Sequence, residues 1–154
     1  MNDGRDAGFM DAGAGPLRLG AVTPDDLLIL SALAQDAIFT LQDTGWDRAA
    51  GQFSLLINRL RREERTDIPE RARALLVVQH VQAVASRGLD MADKSAPLVI
   101  LSLTHDEDAD RGDVITLHLA GGGALRLVVS ALELVLRDVT RPYAAPSGKM
   151  PDHS

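Results

Sequence analysis

The sequence predicts an α+β domain that is mostly antiparallel β: one curled sheet, barrel or sandwich of about seven to eight strands, with a single helix near the N-terminus. Three observations carry this. In residues 114–139, VITLHLAGGGALRLVVSALELVLRDV, the residues Ile115, Leu117 and Leu119 alternate with Thr116 and His118, and the same odd phase resumes at Leu125, Leu127 and Val129 after a glycine run. Period two with one apolar row marks a hairpin with one buried face, and Gly121-Gly122-Gly123 supply the positive φ that a tight reversal needs. The second observation is one clear helix start, Thr23-Pro24-Asp25-Asp26. The third is a series of short apolar runs separated by polar or glycine-bearing connections, the pattern of antiparallel neighbours.

Taken in order, Met1 to Pro16 are rich in Gly, Asp and Ala without periodicity, too poor in apolar surface to offset their ordering entropy. Residues 1–16 are therefore expected to be a disordered tail, 17–140 the globular domain and 141–154 a second tail or a surface-hugging extension. Leu17-Arg18-Leu19 suits a short first strand. Thr23 then fits an N-cap, Pro24 the first helical position, and Asp25 and Asp26 the positive end of the helix dipole. Leu27, Leu30, Leu33 or Ala34, and Ala37 recur at helical spacing, which turns one face onto the sheet.

Two β-like runs, Ile38 to Asp47 and Gln52 to Glu63, flank the short loop Arg48-Ala49-Ala50-Gly51. Phe53, Leu55 and Ile57 share a phase and face the core, with Gln52, Ser54 and Asn58 on the other side. The charged stretch Glu64 to Arg71, with Pro69, reads as a surface loop. In Arg73 to Arg87 the alternation stumbles at Gln79-His80, which predicts a long strand with a bulge or bend. Leu98 to Thr104 is a further β run, joined to the central hairpin by an acidic, solvated loop, His105 to Asp113. At Ser130-Ala131 the apolar phase flips from odd to even (Leu132, Leu134, Leu136). One extra residue explains the flip and favours a strand for 130–139, although Ser130 with Glu133 also matches a helical capping box.

Composition removes several functions. The net charge is −6 and the pI about 5.1, which opposes a phosphate backbone, so no nucleic-acid partner is expected. There are no cysteines, hence no thiolate nucleophile or cysteine-rich zinc site, a composition that suits a reducing cytoplasm. The N-terminal segment has acids and glycines where a secretory signal carries a basic and then an apolar segment, and no run approaches the roughly 20 apolar residues that span a bilayer. The reading is a soluble, cytoplasmic protein.

Local motifs for chemistry are weak. Asp106, Asp108 and Asp110 alternate as calcium-loop ligands do, but Arg111 stands where the loop needs glycine and Leu117 where it needs a bidentate glutamate. The glycine run joins strand to strand, whereas phosphate loops lead into a helix. His80, His105, His118 and His153 make no metal-spaced pair, and the serines lack a nucleophile-elbow pattern, so neither a metal site nor a cofactor is expected. Trp46, beside Gly45, suits a core or loop anchor. One polar group stands out as a candidate ligand site: Gln35 and Asp36 at the helix end, with Asn58, Arg59 and Glu63 on the strand paired after it. A regular hairpin about Arg48–Gly51 would bring Asp36 near Arg62 and Glu63. On a functional reading Arg59 holds an anionic group that Asp36 or Glu63 orients. On a structural reading Asp36 and Asn58 satisfy backbone groups and Arg59 sits in an ion pair.

Blocks in one order, Leu17-Arg18-Leu19, Asp25-Asp26-Leu27, Ser31, Gln35-Asp36-Ala37, Asn58-Arg59 with Glu63, Gly121-Gly122-Gly123-Ala124-Leu125-Arg126-Leu127 and Leu136-Arg137-Asp138, resemble the alphaproteobacterial family catalogued as domain of unknown function 2948. The resemblance runs from Leu17 to His153 and departs from the family's pattern at Arg62, where an aromatic is usual, and at Ser130, where an acid is usual. It implies a stand-alone bacterial domain without an assigned reaction, and a C-terminus, Pro151-Asp152-His153, that folds back on the domain.

The function expected from these features is a non-catalytic binding or interaction module for a protein segment or a small anionic ligand, with no catalytic residue assigned. The alternative is a small metabolite enzyme using acid-base chemistry at Asp36 or Glu63 with Arg59 as anchor. A homo-oligomer formed through an exposed edge strand is the third expectation.

Overall fold

The computed structural model describes residues 16–61, 70–139 and 143–144. Among these residues eleven strands form one sheet: β1 (Arg18–Ala21), β2 (Ile38–Phe39), β3 (Thr44–Asp47), β4 (Gln52–Arg61), β5 (Glu70–Val78), β6 (Val81–Arg87), β7 (Leu98–Asp108), β8 (Gly112–Leu119), β9 (Ala124–Val129), β10 (Leu134–Asp138) and β11 (Tyr143–Ala144). The helix α1 covers Pro24–Ala34. The mostly antiparallel sheet with one helix is as the sequence predicts, and it is curled without closing into a barrel. The strand count exceeds seven to eight because the run Ile38–Asp47 and the long run Arg73–Arg87 each divide in two, and because Tyr143–Ala144 pairs with Arg71 and Glu70. Apart from Pro16, Tyr143 and Ala144, the stretches expected to be tails lie outside the described residues.

The hydrogen-bonded order is β1-β10-β5-β4-β2-β7-β8-β9-β6, with β3 and β11 appended to β4 and β5. Two bends curl it. β5 runs into β6 through Gln79-His80, where His80 takes φ 61°, a left-handed value that histidine tolerates better than branched residues. β9 runs into β10 through the bend Ser130–Glu133, so of 130–139 the part Leu134–Asp138 is strand and none of it is helical. The two bends lie together: Ser130 N–H donates to His80 O (3.0 Å), Gln79 N–H donates to Glu133 O (2.9 Å) and His80 Nε2 meets Glu133 Oε1 at 2.7 Å. The core gathers the odd row of the central hairpin, Phe53, Leu55 and Ile57 of β4, Leu76 and Val78 of β5, and Leu134 and Leu136 of β10.

α1 packs Leu27, Leu30, Ser31 and Ala34 inward, lying against β7, β1 and β4. Its start is the expected cap with a fuller set of bonds. Thr23 Oγ1 accepts from Asp26 N–H (3.1 Å), and Asp26 Oδ2 accepts from Val22 N–H (3.1 Å) and Thr23 N–H (3.2 Å). The Val22 N–H beside Asp26, helped by Thr23, holds its carboxyl below the usual carboxylate range against the opposing effect of burial. No helix among the described residues is long and apolar enough to cross a membrane.

The central hairpin turns at Ala120–Gly123, with Gly121 at φ 89° and Gly122 at φ 92°. The acidic stretch differs from a loop. Glu107 pairs with Asp113 and Asp108 with Gly112, so β7 runs on to Asp108 before a short turn. Asp108 Oδ1 accepts from Asp110 N–H (2.8 Å) and Arg111 N–H (3.2 Å), bonds that close the turn and hold this carboxyl low.

Thr23→Ala removes an N-cap acceptor and is expected to cost about 1 kcal/mol, read as a lower melting temperature and urea midpoint. Because the folded Asp26 carboxyl titrates below an unfolded one near pH 3.9, its contribution is complete above that pH and is lost as the pH falls through the folded value. Asp26→Asn should therefore shrink the stability difference between pH 5 and pH 2, conditions at which thermal melts compare the two proteins.

A buried ion pair and an open groove

The polar group picked out by the sequence is divided by the pleat of β4. Asn58 lies on the outer side, half-buried, and Arg59 on the inner side with no exposed surface. Inside, Arg59 Nε donates to Asp138 Oδ1 (2.9 Å) and Nη2 donates to Asp138 Oδ2 (3.0 Å), and neither side chain has any accessible surface. Both meet in the core because each extends an apolar row: Arg59 follows Phe53, Leu55 and Ile57, and Asp138 follows Leu134 and Leu136. β5 lies between their strands. Its residues opposite Arg59 and Asp138 are Ala72 and Ala74, both buried, and these two methyl groups leave room for a guanidinium to cross roughly 10 Å of sheet, two strand spacings. The carboxylate also accepts from Leu17 N–H (2.8 Å), and Leu17 O accepts from Asp138 N–H (2.8 Å). One carboxylate thus ties β1, β10 and β4 together across β5.

The rest of the predicted group is placed differently. β3 and β4 form the regular hairpin, Thr44 against Leu55 through Asp47 against Gln52. Continuing that register would set Ile38 opposite Arg61, but a 3₁₀ turn at Leu41–Asp43 stays out of the ladder and Ile38 meets Asn58. Asp36, at φ 69°, donates its N–H to Ile100 O of β7 (2.8 Å), and Gln35 caps the helix C-terminus. Arg62 and Glu63 lie outside the described residues. Around Asn58 there is a depression of about 50 Å³ lined by Ile38, Asp43, Leu56, Ile57 and Arg73, with Arg71 Nη1 at 3.4 Å from Asn58 Oδ1.

A larger groove, about 370 Å³ and open to solvent, lies between the start of α1 and β7. It follows from how α1 covers the edge of β7. At Ile100 the edge is closed by Asp36 N–H and Ala37 O, and at Leu103 the N–H donates to Ser31 Oγ (2.8 Å). That last bond sets the parity: Leu103, His105 and Glu107 turn their backbone groups away from β8. Beyond Ser31 the helix no longer reaches, and among the described residues nothing bonds the outward N–H and C=O of His105 and Glu107. The helix wall beside them is Pro24, Leu27 and Leu28, with Leu103 at the base and Asp25 and Asp106 on the rim. Leu28 is 68 % exposed and Val22 63 %. Reading His105–Asp113 as a loop hides this groove in the sequence. The signal was there: Leu103, His105 and Glu107 hold one parity with Ile115 and Asp113.

The family profile described as a protein of unknown function, DUF2948, matches residues 17–153. This chain belongs to the DUF2948 family. No curated protein and no solved structure matches it. The matched span of this DUF2948 chain holds the Arg59–Asp138 pair, Leu17 and the whole groove. Among the described residues no group of three or more His, Asp or Glu stands together as a metal site. His118 Nε2 is 2.8 Å from Thr104 Oγ1 and His105 Nε2 is 3.1 Å from Asp113 Oδ1, so both rings have neighbours across the β7–β8 ladder.

Removing one member of a buried pair strands the other charge, which costs about 3–5 kcal/mol. Arg59→Met and Asp138→Asn should each lose stability in that range by urea denaturation. The double variant should lose clearly less than the two losses together, because neither charge is then left unanswered.

Proposed function

We propose that the protein is a non-catalytic binding module that takes an extended protein segment as an added strand on β7, in the groove beside α1. The observation that carries this is the uncovered backbone of His105 and Glu107 beside an apolar helix wall. An open edge supplies main-chain donors and acceptors whatever the segment's sequence, and the pockets alongside select its alternate side chains. A volume of about 370 Å³ falls at the low end of the range of ligand-binding clefts. The Asn58 depression, at about 50 Å³, is small for that purpose. The occupant we assign is an extended segment alternating apolar and basic residues: apolar ones against Leu27 and Leu28, Lys or Arg toward Asp25 and Asp106, drawn in by a chain of net charge −6. This places recognition in the groove rather than at the Gln35, Asp36, Asn58, Arg59 and Glu63 group. What supports the move is that the Arg59 guanidinium is taken up by Asp138 away from solvent.

Two labelled nine-residue peptides, alternating valine with lysine and valine with glutamate, test the reading by fluorescence anisotropy. The lysine peptide should bind, more weakly as salt rises, and the glutamate peptide should not. His105→Pro deletes an N–H that faces away from β8 and so spares the ladder; it should abolish binding in a folded protein, and Leu28→Ala should weaken it. Absence of binding by the lysine peptide, or equal binding of both peptides, would contradict the reading, as would undiminished binding by folded His105→Pro.

A further inference from the structure

The second open edge is β6, and its geometry is independent of the groove. The parity fixed at Leu103 passes across the sheet through the pairs Thr104–Thr116, Leu117–Leu125 and Ala85–Arg126. It leaves Ala83, Ala85 and Arg87 bonded toward β9, while Val84 and Ser86 turn their N–H and C=O outward. Among the described residues nothing bonds those outward groups. Every residue from Gln82 to Arg87 except Val84 is exposed. Natural edges are usually blunted by lysine, proline, an inward charge or shortness. β1 is four residues long and β7 is partly covered by α1, whereas β6 runs seven residues with no lysine or proline and a single charge at its last position.

We infer that β6 pairs with β6 of a second copy of this chain, antiparallel about a two-fold axis at Ala85. The sequence Gln82-Ala83-Val84-Ala85-Ser86-Arg87 is self-complementary in that register. Val84 meets Ser86 of the partner and Ser86 meets Val84, so that each pair exchanges two main-chain hydrogen bonds, and Ala85 faces Ala85 across a narrow, non-hydrogen-bonded site. Arg87 falls opposite the partner's Ala83, which keeps like charges apart. A two-strand seam buries little surface, so the dimer belongs to the weak class that forms reversibly with concentration. Two chains of net charge −6 repel at long range, and screening favours their association, the opposite of the salt response at the groove.

Sedimentation equilibrium over about 10 µM to about 1 mM, the range in which small interfaces assemble, should show the average mass rising from 16.5 kDa toward twice that value, and rising further with salt. Ser86→Pro removes an outward N–H from an exposed position and should hold the mass at the monomer value. Because the chain has no cysteine, an introduced thiol reports the register. Ala85→Cys should cross-link to a disulfide dimer under mild oxidation, since facing residues at such a site lie about 4.5 Å apart between Cα atoms. Ala83→Cys, set opposite Arg87, should cross-link far less. A wild-type mass that stays at the monomer value, a Ser86→Pro protein that dimerises as wild type does, or equal cross-linking of the two cysteine variants would overturn the inference.

Discussion

A guanidinium cut off from water is tolerable only where a carboxylate and further hydrogen bonds replace its hydration. Arg59 is such a group, and the arrangement of β1, β10, β5 and β4 is what answers it. Asp138 must sit two strands away on the same face, β5 must carry small residues in between, and Leu17 must bring its N–H to the second carboxylate oxygen. Each requirement constrains register. Slipping β10 by one residue would turn Asp138 to the outer face and put Arg137 inside, facing another cation. An apolar core tolerates approximate packing, whereas a bidentate pair with no accessible surface admits one alignment. The pair thus acts as a register lock for the half of the sheet that α1 leans against.

That lock also positions the open edge beside α1. With β1 held to β10 by the Leu17 and Asp138 backbone bonds, the chain enters α1 at a fixed place, and the helix runs back along β7 only as far as its first turns allow. The groove begins where the last helical hydroxyl able to cap the edge, Ser31, gives way to leucines. At the far end of the sheet β6 is exposed for a different reason. It is the continuation of β5 past the His80 bend, so it leaves the core half of the sheet and has β9 as its one neighbour in the strand order.

The hairpin, the helix cap and both bends were legible in the sequence because each rests on local chemistry: period two, Thr23-Pro24, and alternation breaking at Gln79-His80 and Ser130-Ala131. The ion pair was legible in principle. The odd row of β4 and the even row of β10 each end on a charge, of opposite sign, and extending the rows by one step names Arg59 and Asp138. Grouping Asn58 with Arg59 as chain neighbours hid this, since adjacent strand residues face opposite ways. The 3₁₀ turn at Leu41–Asp43 was not legible, and it shifts the register that would have joined Asp36 to Glu63. The groove was hidden because acidic composition suggested a loop, although a strand needs only a neighbour's ladder, and β8 supplies it.

The most direct test of the lock is hydrogen exchange at the Arg59 side chain, followed by nitrogen-15 NMR on the folded protein. Exposed guanidinium protons exchange within a fraction of a second near neutral pH, while one closed inside the core exchanges only when the structure opens. The account predicts a resolved Arg59 Nε–H resonance protected to the same degree as the amides of Leu76 and Leu136, and lost in Asp138→Asn. An Arg59 Nε–H that exchanges as fast as those of the surface arginines would contradict it and return that side chain to solvent.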